Sequence, residues 1–445
     1  MGSKRVRASK KSDEDKDIIS DLPEAIIGHI LSFLLTKEAV STCVLSKRWN
    51  NLWTFVTKLH FDDREQYRYR YNISKSRLVN SLYRVLLHLN TSSIQSFSLY
   101  LSENYDPYHV NRWVSAILHR RVNELYILSK KKVDILTHLL WKSQSLEKLV
   151  LNIKDCYIKL PTFVSLSSLT YLGLTDIMFT CKPSNDLQNL TLNFPVLREY
   201  RTCNCSWSDV KSVTLEVPML EVLSIYHTQE STFGDSRTVI KFCAPRLTKF
   251  YYNGFAIPDT ILFDFDLSTT CVAFADIQLY RSYFGEENDE SAGLLASELL
   301  KNLNNNVKCL MFQRLEVLAF TDLPQFRVLT CLEIEKVSDF LLKAPLLKPL
   351  ILKGLLNFDE ELSNLENMPS CFKSNLQVLK FEGLKGKKHD LRFAKFVLEN
   401  AQLLKKANFT TDWNLSGFKL KKVKEMMLSF KTSFGFTIEL SVPVL

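Results

Sequence analysis

A leucine motif of the form L-x-x-L-x-L returns at intervals from residue 146 onward, and it constrains the fold more than any other feature of this sequence. Clear copies begin at Leu146, Leu169 and Leu220. Successive copies from Leu146 to Leu247 start 23, 28, 23 and 27 residues apart. Periods of about 20 to 29 residues indicate a stack of repeated units. Variant or later copies begin at Leu197, Leu247, Leu315, Leu346 and Leu376.

These periods are those of leucine-rich repeats. Each copy predicts one short strand whose alternate leucines point inward, and stacked strands then form a continuous parallel sheet over a shared core. The positions between the leucines line the other face of the sheet, a type of surface that binds macromolecules more often than it catalyses. In this chain those positions include Glu147, Lys148, Tyr171, Glu221, Ser224, Lys249, Tyr251, Glu316 and Lys380.

Residues 17–55 predict three short helices. In the first, Asp21 and Glu24 have the spacing of a capping box, and Pro23 falls in the first turn. Leu22, Ile26, Ile30 and Leu34 recur every four residues, and Ile27 and Leu31 widen this apolar stripe. Thr36 is expected to cap the second helix, and Ser46 the third, Ser46–Phe55. Three such short helices cannot bury all this apolar surface among themselves, so some of it must contact the rest of the chain or a partner.

The remaining segments predict alternating helices and strands. Before the repeats, helices are expected at Ser76–Leu89 and Val110–Arg120, and strands at Ser93–Leu101 and Val122–Ile127. Near the C-terminus, two further helices alternate with two further strands. They are predicted at Leu391–Asn400, Leu403–Thr410, Phe418–Ser429 and Gly435–Val442. Between the repeats, an acidic loop at 286–290 and a helix from Ala292 to Leu303 are predicted.

Composition and motifs exclude several classes of protein. The apolar fraction is 46%, so the chain can bury a large core and is not wholly disordered. No apolar run reaches the roughly 18 residues that a membrane helix needs, and residues 1–16 are polar throughout. The ten cysteines contain no C-x-x-C pair; Cys203 and Cys205 are the only close pair, and no zinc set completes them. Reduced intracellular thiols and the absence of metal or cofactor are therefore predicted.

No catalytic motif is found. The eight histidines are scattered, and none lies in H-E-x-x-H, a nucleophile elbow or a kinase motif. The Gly383–Lys388 turn lacks the spacing of a phosphate-binding loop. We therefore predict that the chain is not an enzyme and has no catalytic residues.

Positive charge is concentrated at the C-terminal end. The net charge is +9, and residues 373–431 hold fourteen Lys/Arg against five Asp/Glu. A solvated helical face is favoured over a nucleic-acid site, because no aromatic or glycine-rich binding motif accompanies these charges. Residues 1–16 are expected to form a disordered basic tail, whose short Lys/Arg cluster could be read by a nuclear import receptor.

The N-terminal pattern closely resembles the F-box of plant F-box/leucine-rich-repeat proteins. It is carried by residues 21–24, 30–34, 36–40, 45–49 and 52–53. Residues from about Met368 to the end resemble the FBD domain of the same family, with its signature at 376–383, 396–401 and 404–406. One departure is Leu35, where the family usually has proline.

The resemblance implies a mixed α/β chain with four parts. They are a disordered tail (1–16), a three-helix F-box (17–60), an irregular leucine-rich-repeat solenoid with a curved parallel sheet (61–365, clearest at 146–255 and 315–352) and an α/β FBD cap (366–445). An F-box implies docking on a Skp-type adaptor, which joins a cullin and a RING subunit, while the repeats recruit a protein substrate for ubiquitination. Adaptor contacts are implied at Leu22, Pro23, Ile26, Ile30, Leu31, Leu34, Val40, Val44, Leu45, Ser46, Trp49, Leu52 and Trp53.

Several alternatives remain open. Each F-box residue could serve self-packing instead of docking, and several could do both. The chain could also bind the adaptor as a scaffold without ligase output, as a decayed paralogue would. The substrate is not specified by the sequence. The expected location is intracellular, in the nucleus, the cytoplasm or both, with no membrane partner.

Overall fold

The computed structural model forms two compact units that divide between Lys131 and Lys132. It describes residues 22–66, 74–135, 138–180, 188–227, 238–255, 261–264, 272–280, 297, 299–301, 303, 307–313, 325–326, 328–334, 343–353, 368–411, 417–430 and 437–441. The leucine copy at Leu315, the acidic loop at 286–290 and residue Asp21 lie outside these residues. Only part of the helix predicted from Ala292 to Leu303 lies within them.

The first unit begins with short helical segments around a small core. They are α1 (Glu24–Leu31), α2 (Thr36–Ser41) and two 3-10 helices, Thr42–Val44 and Trp49–Phe55. Their shared core consists of Ile27, Leu31, Ala39, Trp49, Leu52 and Val56. Leu22, Leu34 and Trp53 pack against this core and are partly buried. The segment therefore buries Ile27, Leu31, Trp49 and Leu52 in its own core, while Phe33 and Phe55 stay exposed.

Helix starts differ in detail from the prediction. Pro23 is the N-cap of α1, one position before the first turn, and the third segment is a 3-10 helix that starts after Arg48 and not at Ser46. Leu35 precedes α2 with φ −62°, close to the value of about −65° that a proline ring imposes. Its N–H donates to the Glu38 carboxylate at 3.1 Å. Leucine thus keeps the turn that proline would form and adds a hydrogen bond that proline cannot donate.

Three parallel strands complete the first unit. Its remaining elements are β1 (Lys58–Asp62), a 3-10 helix (Asp63–Gln66), α3 (Ser74–His88), β2 (Ser96–Leu101), α4 (Pro107–His119) and β3 (Glu124–Ser129). Phe61, Leu99 and Ile127 are in register across the three strands and are buried. The strands predicted at Ser93–Leu101 and Val122–Ile127 are present as β2 and β3, and every second side chain of both is buried.

Hydrogen bonds tie the N-terminal helical segments to β1 and to the residues between α3 and β2. The Thr36 hydroxyl accepts from the His60 N–H in β1 at 2.7 Å. The Thr54 carbonyl accepts from the Asn90 N–H at 3.0 Å, and the Thr57 carbonyl accepts from the Gln95 N–H at 2.9 Å. Since Thr36 and Thr54 are buried, these bonds are shielded from water and are correspondingly costly to break. The helical segments and the strands therefore pack as one body.

The second unit contains two parallel sheets. Its elements in chain order are a 3-10 helix (Leu140–Lys142), β4 (Lys148–Lys159), β5 (Phe163–Ser165), β6 (Tyr171–Thr180), β7 (Gln188–Asn193), β8 (Glu199–Cys203), β9 (Ser206–Ser208), β10 (Val210–Glu216), β11 (Val222–Tyr226), β12 (Val239–Cys243), β13 (Lys249–Phe255), β14 (Ile261–Asp264), β15 (Phe274–Tyr280), β16 (Cys309–Gln313), β17 (Cys331–Ile334), β18 (Pro349–Lys353), α5 (Ser370–Ser374), β19 (Val378–Leu384), α6 (Lys388–Asn400), β20 (Lys406–Thr411), α7 (Gly417–Ser429) and β21 (Thr437–Ser441).

The larger sheet follows chain order, β4-β6-β8-β11-β13-β15-β16-β17-β18-β19-β20-β21, with β9 beside β6. The smaller one has the order β14-β12-β10-β7-β5. Strands start within the copies at Leu146, Leu169 and Leu220, as the motif predicts. In register, Leu149, Leu172, Tyr200 and Leu223 form one row, and all four are buried. The predicted large parallel sheet in a mixed α/β chain is therefore present.

The C-terminal part also follows the prediction closely. Helices α6 and α7 and strands β20 and β21 fall at the four predicted places. The basic turn before α6 uses Gly383 and Gly386 at φ 74° and 68°, a region that glycine enters without steric cost. Asp390, which is buried, accepts the N–H groups of Lys385 at 3.1 Å and Lys387 at 3.2 Å. This carboxylate holds the turn, so the turn is a structural feature.

In the larger sheet, Gly254 lies so close to His227 that a side chain at this position would destabilise the fold. A Cβ at Gly254 would lie 2.8 Å from the Cβ of His227 and 3.3 Å from its backbone nitrogen and oxygen. We expect Gly254→Ala to lower the free energy of unfolding by about 1–3 kcal/mol, the cost of overpacking a tight core. Chemical denaturation of the full chain, followed by circular dichroism, measures this loss.

Gly28 is the matched control for that substitution. It lies within α1, and a Cβ there would meet nothing within 4 Å. Alanine in an open helical position stabilises by about 0.5–1 kcal/mol relative to glycine. An equal response of both glycines to alanine would contradict the close approach at Gly254.

Candidate protein-docking surface

The N-terminal helical segments carry large apolar side chains that the first unit does not bury. Val44 is 83% exposed, Phe33 72% and Leu45 64%. Monomeric proteins rarely expose several such side chains together. Their concentration in one short segment indicates a surface that a partner covers.

The residues that the family resemblance assigns to adaptor binding fall into three groups by exposure. Exposed are Pro23, Ile26, Ile30, Val44 and Leu45. Half-buried are Leu22, Leu34, Val40, Ser46 and Trp53. Buried are Leu31, Trp49 and Leu52. The side chains of the first two groups are accessible to a partner in this conformation, and the buried side chains form the core beneath them.

The side of α1 that is buried differs from the side that the four-residue spacing of its apolar residues suggests. The four-residue recurrence emphasises Ile26 and Ile30, yet both are exposed, and Ile27 and Leu31 face the core. Leu22 and Arg48 are linked by a hydrogen bond from the Arg48 guanidinium to the Leu22 carbonyl. This bond holds the start of the first helical segment against the start of the third. Pro23, Ile26 and Ile30 are thereby presented on a fixed helix.

Sequence reasoning missed three exposed apolar residues, Phe33, Leu35 and Phe55. Phe33 packs edge-on against His29 at 4.9 Å between ring centroids. Leu35 follows directly in the turn before α2, and Phe55 ends the last 3-10 helix. The signal that could have found them is the surplus of apolar residues at turns, where the helical period does not apply.

Two open grooves flank α1 and α2. One, of about 490 Å³, lies along α2 and is lined by Leu34, Leu35, Lys37, Glu38, Ser41, Thr42 and Leu45. The other, of about 630 Å³, is lined by Glu24, Gly28, His29, Ser32, Phe33, Leu52, Phe55, Thr57, Lys58 and Gln95. Both combine apolar walls with polar rims. Such a mixture suits apolar side chains of a partner protein that enter between charged neighbours.

The second unit offers a different surface, the outer face of its larger sheet. There Lys148 lies 4.6 Å above the ring of Tyr171, and burial raises the pKa of Tyr171. Tyr251 and Phe274 on neighbouring strands are 5.6 Å apart between ring centroids. Among the predicted surface positions, Glu147 is exposed and Lys148, Tyr171, Glu221 and Tyr251 are half-buried.

Ser224 was expected on this outer surface and is only 1% exposed. Its register neighbours are Arg201 and Tyr251, and these long side chains leave a serine between them out of reach of water. Glu316 lies outside the described residues. The predicted face is therefore present, but Ser224 is buried beneath the longer side chains of that face and is not available for contact.

Ion pairs join charged side chains on the outer face. The Arg201 guanidinium contacts the Glu199 carboxylate, Lys380 and Glu382 are 2.5 Å apart, and Lys406 and Glu439 are 2.9 Å apart on neighbouring strands. Exposed pairs of this kind contribute at most about 1 kcal/mol each.

Within the described residues, no group of three or more His, Cys, Asp or Glu side chains could hold a metal ion. No described helix is long and apolar enough to cross a bilayer. The described cysteines include three whose thiol pKa is raised to about 12 by burial, Cys156, Cys205 and Cys371. Raised values of this kind belong to inert thiols.

Comparisons with known proteins identify two domains in the chain. Residues 19–60 match the family model of the F-box domain, and residues 364–409 match the FBD model. An F-box/FBD/LRR-repeat protein of Arabidopsis thaliana is 28% identical over 90% of this chain and 89% of its own length. An F-box/LRR-repeat protein of the same plant is 30% identical over 82% of this chain and 76% of its own length. Another is 34% identical over 53% of this chain and 72% of its own length.

The two matched domains and the relatives specify the family of the chain. The chain belongs to the F-box/LRR-repeat family, among the members that carry a C-terminal FBD domain. F-box domains in general bind Skp1-type adaptors, and proteins of this family are in general non-catalytic.

Proposed function

We propose that this chain is the substrate-recognition subunit of a Skp-cullin-F-box ubiquitin ligase. Its F-box docks on the adaptor, and its repeats hold a protein substrate. The observation that carries the proposal is the set of exposed apolar side chains on the F-box, chiefly Val44, Leu45, Ile26 and Ile30. Removal of apolar surface from water is the dominant favourable contribution to most protein–protein association.

The docking surface proposed here is narrower than the full set of residues that the family resemblance implies. Pro23, Ile26, Ile30, Val44 and Leu45 contact the adaptor directly, and Phe33 and Leu35 extend the contact into the two grooves. Leu31, Trp49 and Leu52 act through packing, since they form the core that holds these side chains in place. Leu22, Leu34, Val40, Ser46 and Trp53 do both.

The second unit is proposed to be a leucine-rich-repeat solenoid with the FBD region at its end. The sequential parallel order of the larger sheet supports this proposal, as do strand starts at the leucine copies. The division into an F-box at 17–60, repeats at 61–365 and an FBD cap at 366–445 remains a prediction. Strands β19, β20 and β21 continue the sheet, so the cap would cover the sheet edge that the repeats leave open.

The chain itself performs no bond chemistry in this proposal. It holds a substrate lysine close to the ubiquitin thioester carried by the RING-bound conjugating enzyme. Tethering turns a bimolecular encounter into an intramolecular one and raises the effective concentration to about the millimolar range. The fixed F-box-to-sheet packing of the first unit supports this role, because a tether directs a substrate only when its first segment is rigid.

Reconstitution tests this function. The full chain is co-expressed with a Skp-type adaptor, purified by its own tag and mixed with cullin and RING subunits. Comigration of all four components in size-exclusion chromatography is the expected result. A folded chain that never retains the adaptor would refute docking. Retention of the adaptor without cullin would instead favour the alternative, a scaffold without ligase output.

A further inference from the structure

Two cysteines that are far apart in the sequence become neighbours in the larger sheet. Cys309 begins β16 and Cys331 begins β17, and the two residues are register partners on adjacent parallel strands. Their spacing of 22 residues corresponds to one repeat, which is why they fall on equivalent positions. Neither forms a disulfide in the structure.

Both side chains lie on the outer face of the sheet. The residues that follow them, Leu310 and Leu332, are in register with each other and fully buried. Because successive side chains of a strand point to opposite faces, Cys309 and Cys331 point away from that core. Both cysteines are half-buried, so small oxidants in water can reach the pair.

Backbone hydrogen bonds keep the two cysteines side by side. The Cys309 N–H donates to the Ala273 carbonyl at 3.0 Å, and the Cys331 N–H donates to the Lys308 carbonyl at 3.0 Å. Thr330 reinforces this junction, since its N–H and hydroxyl donate to the same Lys308 carbonyl at 2.8 Å and 3.1 Å. The strands therefore cannot slip by a residue without breaking several bonds.

We propose that Cys309 and Cys331 form an oxidant-responsive dithiol that closes to a disulfide across β16 and β17. Neighbouring strands lie about 4.8 Å apart, within the roughly 4.4–6.8 Å that bridged Cα atoms require. Parallel side chains leave the Cβ atoms at about the same separation, slightly more than the usual 3.5–4.5 Å. Closure therefore draws the strands together by a few tenths of an ångström and yields a bond that thiols readily reduce.

The chemistry needs only hydrogen peroxide as co-reactant. One thiolate attacks a peroxide oxygen, the O–O bond breaks, and a sulfenic acid forms with release of water after protonation. The second thiol then attacks that sulfur, the S–O bond breaks, and another water leaves with the thiol proton. Two thiols and one peroxide thus give one disulfide and two waters, with both sulfurs oxidised and the peroxide reduced.

The other described cysteines do not offer this arrangement. Cys203 and Cys205 are close in sequence, but the Cys205 thiol donates to the carbonyls of Leu174 and Cys203, and burial raises its pKa to about 12. Cys243 is half-buried, yet its register partners are Glu216 and Asp264. Cys243 is therefore the matched control, an accessible thiol on a strand whose register partners are not cysteines.

Mass spectrometry of the full-length chain tests the proposal. The protein is treated with hydrogen peroxide, alkylated with iodoacetamide and digested with trypsin without reduction; Arg314 and Arg327 lie between the two cysteines, so trypsin separates them unless a disulfide joins them. A Cys309–Cys331 linked peptide that dithiothreitol removes is the expected result. Both cysteines remaining alkylated to the untreated extent would overturn the proposal.

Variants sharpen the result. In Cys331→Ser the linked peptide is lost and dimedone labelling of Cys309 as sulfenic acid increases severalfold, whereas Cys243→Ser leaves the linked peptide at the wild-type level. Linkage of Cys309 to any other cysteine in wild type would contradict the pairing. The wild-type measurement needs no substitution, so it remains decisive even if a variant fails to fold.

Discussion

Replacing Val44 and Leu45 together with aspartate is expected to weaken binding of the chain to a Skp-type adaptor at least a hundredfold. Both side chains project into solvent, 83% and 64% exposed, so the free chain can hydrate the new carboxylates. In the complex the adaptor would enclose them, and an unpaired buried charge costs several kcal/mol. A hundredfold loss corresponds to about 2.7 kcal/mol, well within that cost.

Isothermal titration calorimetry of the full chain with the adaptor measures this loss, and thermal unfolding checks the fold. Leu87→Asp is the matched control: Leu87 is 80% exposed and lies on α3, outside the proposed surface. It should bind the adaptor as tightly as wild type does. Wild-type affinity in the Val44/Leu45 variant would remove these residues from the docking surface. A similar loss in Leu87→Asp would show that added charge, and not its position, weakens binding.

The sequence predicts several strands of the larger sheet, because their segments have a strong period, but it predicts none of the strands of the smaller sheet. Leucine copies mark β4, β6 and β11, and alternating residues mark β2 and β3. Periodicity cannot decide which side of a broad apolar stripe faces the core. The four-residue spacing favours Ile26 and Ile30, but Ile27 and Leu31 are the buried residues. That choice depends on Trp49 and Leu52, which pack against α1 from a later segment.

Contacts that depend on register are harder to predict from one sequence. Cys309 and Cys331 become neighbours only once β16 and β17 are aligned, and Ser224 is buried only because Arg201 and Tyr251 flank it. The spacing of 22 residues between the two cysteines equals one repeat, but the leucine copy at Leu315 lies between β16 and β17 and marks neither strand. For the docking surface, exposure at turns such as Phe33 has no periodic signal.

Asp63 stabilises the fold, although no sequence pattern predicts its role. It follows β1 directly and is 1% exposed. Its carboxylate accepts the Ser102 N–H at 2.7 Å, the Ser102 hydroxyl at 2.8 Å and the Glu103 N–H at 3.2 Å. The Tyr105 hydroxyl donates to it at 3.3 Å. One side chain thus ties the end of β1 to the loop between β2 and α4.

Asp63→Ala is therefore expected to lower the free energy of unfolding by about 3–5 kcal/mol, because each buried donor left without an acceptor costs about 1–3 kcal/mol. Urea denaturation of the full chain, monitored by tryptophan fluorescence, measures the loss. Asp62→Ala is the adjacent control. Burial opposes ionisation of Asp62, but hydrogen bonds from Arg64 outweigh it and keep its pKa below the usual value.

The hydrogen bonds that the structure gives the buried Asp62 carboxylate come from Arg64, which is half in solvent and lies only two residues away. Removing an ion pair of this kind costs about 1 kcal/mol or less, so Asp62→Ala should unfold close to wild type. Equal losses at Asp62 and Asp63 would contradict the role of the Asp63 network. Because Asp63 lies in the unit that also holds the F-box, its loss should release the helical segments from the sheet. Adaptor binding by Asp63→Ala would then fall in proportion to the unfolded fraction, whereas the Val44/Leu45 variant loses binding while still folded.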